Sequence, residues 1–255
     1  LLGLNEKFVV SPPVSKRPIF RTKGKTLIVE LNDELKPNTT YSLDFKDGIV
    51  DNNEGNRLRN LRLAFSTGPK IDSLRISGFV KDAFNLEPVK NAFVLLYSHK
   101  SDTLIYKSRP DFVAKTDWQG YFEVTNLPAD SFMVYSISDV DNNLKYLPGS
   151  DSIAFIEQRI LPSAKYFPDR DSIVKGPDTL LFVWKTRFYP DPVYLRQFFE
   201  EGFELRLDKY DHPNRKYLDL FFTASVKDTF NIEPLNFTPK PDWKYIEASP
   251  KKDTI

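Results

Sequence analysis

The sequence predicts an all-β chain of tandem β-sandwich domains, and three observations carry that expectation. Across residues 77–146, short runs rich in Val, Phe, Tyr and Leu are cut at intervals by turn residues, the pattern of a small antiparallel sandwich. Strand-favouring aromatics are abundant, with 21 Phe and 12 Tyr in 255 residues. The 19 prolines are spread along the whole chain, which argues against long helices.

The elements follow in order. Phe8, Val9 and Val10 read as a short strand stopped by Ser11-Pro12-Pro13, and residues 26–31 alternate like a half-buried strand. Residues 33–38 read as a loop or one helical turn, and the strand 40–45 places Tyr41, Leu43 and Phe45 on one face. The polar cluster 51–56 is a turn, and 61–66 closes this unit before Gly68-Pro69. Further strands are expected at 74–80, 89–97, 113–116, 121–124 and 132–137, with turns at 82–85, 117–120 and 126–129. Pro162, Pro168, Pro177, Pro190 and Pro192 divide the next stretch, where 180–184 reads as a strand and 193–200 as a strand or a short helix. Strands at 203–207, 217–222 and 243–246 complete the reading. The expected organisation is a domain over 1–68, a second over 74–148, a Pro-rich connecting segment over 149–200 and a partial C-terminal β domain over 201–255.

Two of these regions resemble known families. The runs VVSPP, LKPNTTYSLDFKDGIVDNNEGN and LRLAFSTG, within residues 7–68, resemble the bacterial Ig-like domain named for surface-layer proteins. That resemblance implies a β-sandwich module of extracytoplasmic proteins and no catalysis. The order Gly78-Phe79-Val80, then 88–97 (PVKNAFVLLY), then Thr116-Asp117 with Gly120-Tyr121-Phe122, then Asn126-Leu127-Pro128, resembles the carboxypeptidase-regulatory-like, transthyretin-like fold. This too is an accessory module. The whole order resembles Bacteroidota-type Ig-like surface lipoproteins. It implies a non-enzymatic envelope protein, lipid-anchored at the outer membrane, periplasmic or surface-exposed, whose partner is an outer-membrane protein or envelope complex. The start LLGLNEKF and the end KKDTI lead us to expect a longer protein, with a leader carrying the anchor and a first strand ahead of residue 1.

Composition limits the alternatives. The formal net charge is +1, from 36 basic and 35 acidic residues, so no broad field for nucleic acid exists. The chain has no cysteine, which excludes disulfides, thiolate metal sites and cysteine nucleophiles. No run approaches the roughly 20 apolar residues of a membrane helix.

Four candidate chemistries remain. Asp139, Asp141 and Asn143 offer oxygens at alternate positions, the first half of a calcium loop; Leu144 stands where a loop glycine belongs and Ser150 where a bidentate Glu belongs, so a polar turn is the favoured reading. Calcium is the one cofactor considered. Trp118, in the 117–120 turn, is the candidate sugar-stacking residue of a carbohydrate-binding surface module, with Trp184, Trp243 and Phe112 as lesser candidates. Hydrolase chemistry is the least favoured, since His99 and His212 lie far apart and the balanced charges read as a solvated face. Finally, Asp followed by Ser or Thr and an aliphatic residue occurs six times, against on the order of one or two from composition. The hydroxyls are Ser73, Thr103, Ser152, Ser172, Thr179 and Thr254. The pattern resembles the O-glycosylation motif of Bacteroidota envelope proteins, and it also makes good turns before strands.

Overall fold

The computed structural model describes residues 3–50, 55–58, 61–99, 101, 103–172, 180–200, 207–214, 216–223, 226, 233–236, 238–240, 243–247 and 249. They belong to two compact units, Leu1–Glu200 and Glu201–Ile255. Among the described residues almost all regular structure is strand, and none of the helices is long and apolar enough to cross a membrane.

The first unit opens with a single helical turn, α1 (Leu4–Lys7). It continues through β1 (Val9–Ser11), β2 (Ile19–Lys23), β3 (Thr26–Glu30), β4 (Thr40–Asp44), β5 (Ile49–Val50), β6 (Arg57–Leu58) and β7 (Arg62–Ser66). β4 is the centre of an antiparallel β1-β4-β7 sheet, while β2–β3 and β5–β6 are separate antiparallel pairs. Alternation along β4 sends Tyr41 and Leu43, followed by Phe45, into a core shared with Leu4, Val10, Phe20, Leu27 and Val29. This is the face predicted from the sequence. The expected turn over 51–56 lies mostly outside the described residues.

The remainder of the unit comprises β8 (Leu74–Asp82), β9 (Phe93–Tyr97), α2 (Leu104–Lys107), β10 (Phe112–Lys115), β11 (Tyr121–Leu127), β12 (Phe132–Ile137), β13 (Ser152–Ile160), β14 (Ser163–Ser172), β15 (Leu180–Tyr189) and β16 (Val193–Phe199). Seven of these strands form one sheet, ordered β10-β9-β12-β13-β16-β8-β11. The sheet closes over a single core, since Ile76 and Val80 of β8, Val94 and Leu96 of β9, Phe122 and Val124 of β11 and Leu195 of β16 pack in one cluster. The opposite face of β9 and β12 is also covered. Leu95, Tyr97, Met133, Tyr135 and Ile137 pack there with Ile105 of α2 and with Tyr146. Burial on both faces explains the uninterrupted apolar run 92–97. β9 begins later than the expected strand at 89–97 because Asn91 takes a left-handed φ of 59°, which breaks the extended backbone.

The stretch 149–200 differs from the connecting segment expected of it. β13 pairs antiparallel with β12, and β16 pairs parallel with β8 and antiparallel with β13, so two strands of the sheet come from this stretch. β14 and β15 form a two-stranded ribbon inserted between them. β16 resolves the choice between strand and helix. Leu195 and Gln197 turn inward while Tyr194, Arg196 and Phe198 turn outward, and the Gln197 amide donates to Ser138 Oγ (3.0 Å) and the Ser152 carbonyl (2.9 Å). A polar residue facing inward beside outward aromatics hid the strand period.

Gly78 makes the parallel pairing possible. A Cβ there would run into the carbonyl oxygen of Val193 and come within 2.9 Å of the Phe122 ring. In the second unit, β17 (Leu207–Asn214) and β18 (Tyr217–Phe222) pair antiparallel. The expected strand at 203–207 falls mostly outside the described residues. Residues 243–246, expected as a strand, are irregular: among the described residues no neighbouring strand pairs with them.

Gly78→Ala should therefore lower the urea unfolding free energy by about 3 kcal/mol, because the contact is with backbone and cannot be relieved by a rotamer change. Gly24→Ala, at a φ of +59° with open space around its Cβ position, should cost only about 1 kcal/mol. Equal losses at the two glycines would contradict the β8–β16 register.

Candidate functional site

The polar face of β4 is not solvated. Thr40, Ser42 and Asp44 are buried against the β8–β11 half of the second sandwich. Thr40 Oγ1 donates to Asp72 Oδ2 (3.1 Å) and accepts from the Asp72 N–H (2.9 Å), and Ser42 Oγ lies 3.2 Å from Thr125 Oγ1. Arg62 Nε donates to Asp44 Oδ2 at 3.0 Å, and Arg62 Nη1 donates to Glu123 Oε2. Arg75 Nη1 reaches the other Glu123 oxygen at 2.8 Å, and its guanidinium lies 4.1 Å from the centre of the Phe188 ring on the ribbon. Burial works against the charge of Arg62, but Asp44 and Glu123 outweigh it and hold its pKa above the usual value. β1 contributes too: Val9 packs into the second sandwich, and Ser11 Oγ accepts the N–H of Val113 on edge strand β10 at 3.0 Å. The crevice left at this joint is only about 10 Å³. Sequence reasoning assigned these carboxylates to a solvated face. Alternation marks polar positions without saying what covers them.

The joint sets the walls of a groove of about 730 Å³ beside the 117–120 hairpin. The turn is held firmly. Asp117 Oδ1 accepts the N–H groups of Gln119 (2.8 Å) and Tyr121 (2.9 Å), and Gly120, at φ 73°, donates to the Asp117 carbonyl at 3.1 Å. The Gly120 carbonyl in turn accepts from Val80 N–H at 2.8 Å. Trp118 rides on this turn at 70% exposure. The structure thus places the predicted residue on the surface, beside basic side chains from both sandwiches.

The other predicted positions are dispersed. Phe112 is core, against Phe132, and is no candidate for stacking sugar, because its side of β10 faces the closed interior. Trp184 is exposed on β15 and Trp243 is partly exposed in the second unit. Asp139 accepts the N–H groups of Leu144 (2.7 Å) and Asn143 (3.3 Å), and Asp141 accepts from Asn143 N–H (3.2 Å) and from its side-chain amide (2.6 Å). Those bonds form a compact polar turn anchored by half-buried Leu144 against the core. No group of three His, Asp or Glu side chains suited to a metal occurs among the described residues. His99 and His212 are both exposed, in separate units.

Of the candidate hydroxyls, Ser73 and Thr103 are exposed, and Ser152 is half-buried in β13. The aspartates preceding Ser73 and Ser152 do structural work: Asp72 bridges the joint, and Asp151 is buried and accepts the N–H groups of Val140 (3.2 Å) and Leu147 (2.9 Å). The Ser172 side chain, Thr179 and Thr254 lie outside the described residues.

A row of aromatic rings that sequence reasoning missed crosses the outer face of β11, β8, β16 and β13. Tyr121 meets Phe79 at 5.3 Å between ring centres, Phe79 stacks on Tyr194 at 5.7 Å, and Phe198 meets Phe155 at 6.4 Å. Tyr194 is 66% exposed, and Phe155 and Phe198 are also exposed. The signal available was the spacing of Tyr194 and Phe198 by two-residue steps, visible only once β16 is known to be a strand.

A family model described as the bacterial Ig-like domain matches residues 3–67, the region built around the β1-β4-β7 sheet. No curated protein matches the chain, and no solved structure does.

Burial, opposed by the Leu144 and Asn143 N–H groups and reinforced by Asp141, pushes the Asp139 carboxyl up to about 6. A folded pKa above the unfolded value means stability that is present below about pH 4 and lost as pH rises through about 6. Asp139→Asn should flatten that decline and be more stable than wild type at pH 7 by about 1 kcal/mol, a figure discounted for the group's partial exposure. Urea midpoints across this pH range check it; parallel pH profiles for the two proteins would contradict it.

Proposed function

We propose that the chain is a non-enzymatic binding module of the bacterial cell envelope, a scaffold or accessory subunit of an outer-membrane protein complex. In its finer form the proposal is a lipid-anchored surface lipoprotein of the Bacteroidota Ig-like type, whose second sandwich is carboxypeptidase-regulatory-like. The bacterial Ig-like match over residues 3–67 supports the envelope setting. The observation that carries the binding role is the aromatic row. Its rings fall into two groups on one sheet face, Tyr121–Phe79–Tyr194 and Phe198–Phe155, and exposed aromatics gathered in this way are enriched at interfaces. The joint adds a mechanical reason, since it fixes two sandwiches and a ribbon base as one presenting surface.

Trp118 favours a second reading, a carbohydrate-binding surface module. Geometry gives hydrolase chemistry no comparable support. Among the described residues, Ser73 and Thr103 are the exposed candidates for O-glycosylation.

The aromatic row is tested by Tyr194→Asp together with Phe198→Asp. Both side chains point outward, so the double variant should stay folded, with a urea midpoint lowered only by the lost contacts with Phe79 and Phe155, while losing at least about 2 kcal/mol of partner affinity, as expected for interface aromatics. The readout is quantitative co-purification from cross-linked native envelopes. Recovery of the same proteins at the same yield with the folded double variant would refute this role for the row.

A further inference from the structure

We propose that the groove beside Trp118 is a binding site for an acidic saccharide, a uronic-acid or sulfated sugar whose ring stacks on Trp118 and whose anionic groups face the groove's basic wall. The proposal rests on the carbohydrate-binding reading of Trp118 and is independent of the aromatic row and the scaffold reading.

The groove draws cations from both sandwiches. Lys7, Lys46 and Arg57 come from the first, Lys90 and Lys115 from the second, and the lining holds two aspartates, Asp47 and Asp117; Lys46 is already paired with Asp44 at 3.2 Å, which leaves Lys90 as the exposed cation at the rim. Asp47 is shared between Lys7 Nζ at 2.8 Å and Arg57 Nη1 at 3.1 Å, so one carboxylate serves two cations. Asp117 is committed to the backbone of its own turn. At the base, Lys115 Nζ donates to the Glu6 carbonyl at 3.0 Å and sits 4.8 Å from the centre of the Phe93 ring, while Lys46 Nζ donates to the Lys115 carbonyl at 2.8 Å. Burial disfavours the charged form of Lys115 and outweighs the nearby Glu6 and Asp139 carboxylates, which favour it; the Lys46 charge adds a smaller push in the same direction as burial. An anion seated in the groove favours the charged form.

The aromatic side selects among anions. A sugar ring offers a C–H face to an exposed aromatic and hydrogen-bonding groups at its edge. The turn that carries Trp118 is fixed by the Asp117 and Gly120 bonds, so the backbone beneath the ring loses little freedom on binding. The volume of about 730 Å³ suits a short oligosaccharide. A nucleic-acid strand would need a longer basic track than this groove and a chain less neutral than +1.

The test is isothermal titration of the whole chain with trigalacturonate, its uncharged methyl ester, a sulfated chondroitin disaccharide and inorganic sulfate. We expect heat with trigalacturonate or the chondroitin disaccharide, with affinity falling as salt rises. Trp118→Ala and Lys90→Glu, both at exposed positions and checked for unchanged urea midpoints, should each weaken that binding about tenfold or more. Absence of heat with both acidic saccharides overturns the proposal. So does binding unaffected by either variant, equal binding of the methyl ester, or sulfate binding as tightly as the sugars.

Discussion

Everything the first 200 residues present to a partner depends on the half-buried ion chain that runs Lys46, Asp44, Arg62, Glu123, Arg75. Lys46 Nζ lies 3.2 Å from Asp44 Oδ2, and the chain ends where Arg75 covers Phe188. Charges with this little solvent are stable only when each finds its partner in good geometry. That requirement fixes the β1-β4-β7 sheet against β11 in one arrangement. A hydrophobic joint of the same area would tolerate sliding, whereas alternating charges and the Ser42–Thr125 and Thr40–Asp72 bonds specify register. The groove beside Trp118 exists because of this register, since its walls belong to different sandwiches.

The same joint resolves an edge problem. β10 and β11 end the seven-stranded order, and exposed edges invite unwanted pairing. Ser11 takes the outward N–H of Val113 on β10, and β4 lies along β11. The N-terminal sandwich therefore acts as a cover for the second one. This accounts for two-sided burial in β4, all five of whose residues are buried.

Much of the strand content was legible because alternation is a local signal. The inward set Tyr41, Leu43, Phe45 and the strand 132–137 needed nothing beyond their own neighbours. The Trp118 turn was legible for the same reason: Asp117 and Gly120 are turn chemistry written in four residues. What failed was long-range. Asp44, Arg62 and Glu123 look like ordinary solvent-facing charges until β4 and β11 are brought together from 79 positions apart. β16 was hidden because Gln197 points inward and its neighbours Tyr194 and Phe198 point outward, reversing the usual code. Its parallel pairing with β8 also requires the whole β9–β15 stretch in between. The basic groove was invisible for a related reason, as Lys7 and Lys90 share no local pattern.

The most direct test is a double-mutant cycle on Arg62 and Glu123, with Arg62→Ala, Glu123→Ala and the pair compared by urea unfolding. If their contact locks the joint, each single change removes one link of the chain, although Glu123 keeps Arg75 and Arg62 keeps Asp44, and the cycle returns a favourable coupling of about 1 kcal/mol or more. Strictly additive losses would show that the two side chains act independently and would contradict the claim that this ion chain holds the sandwiches in register.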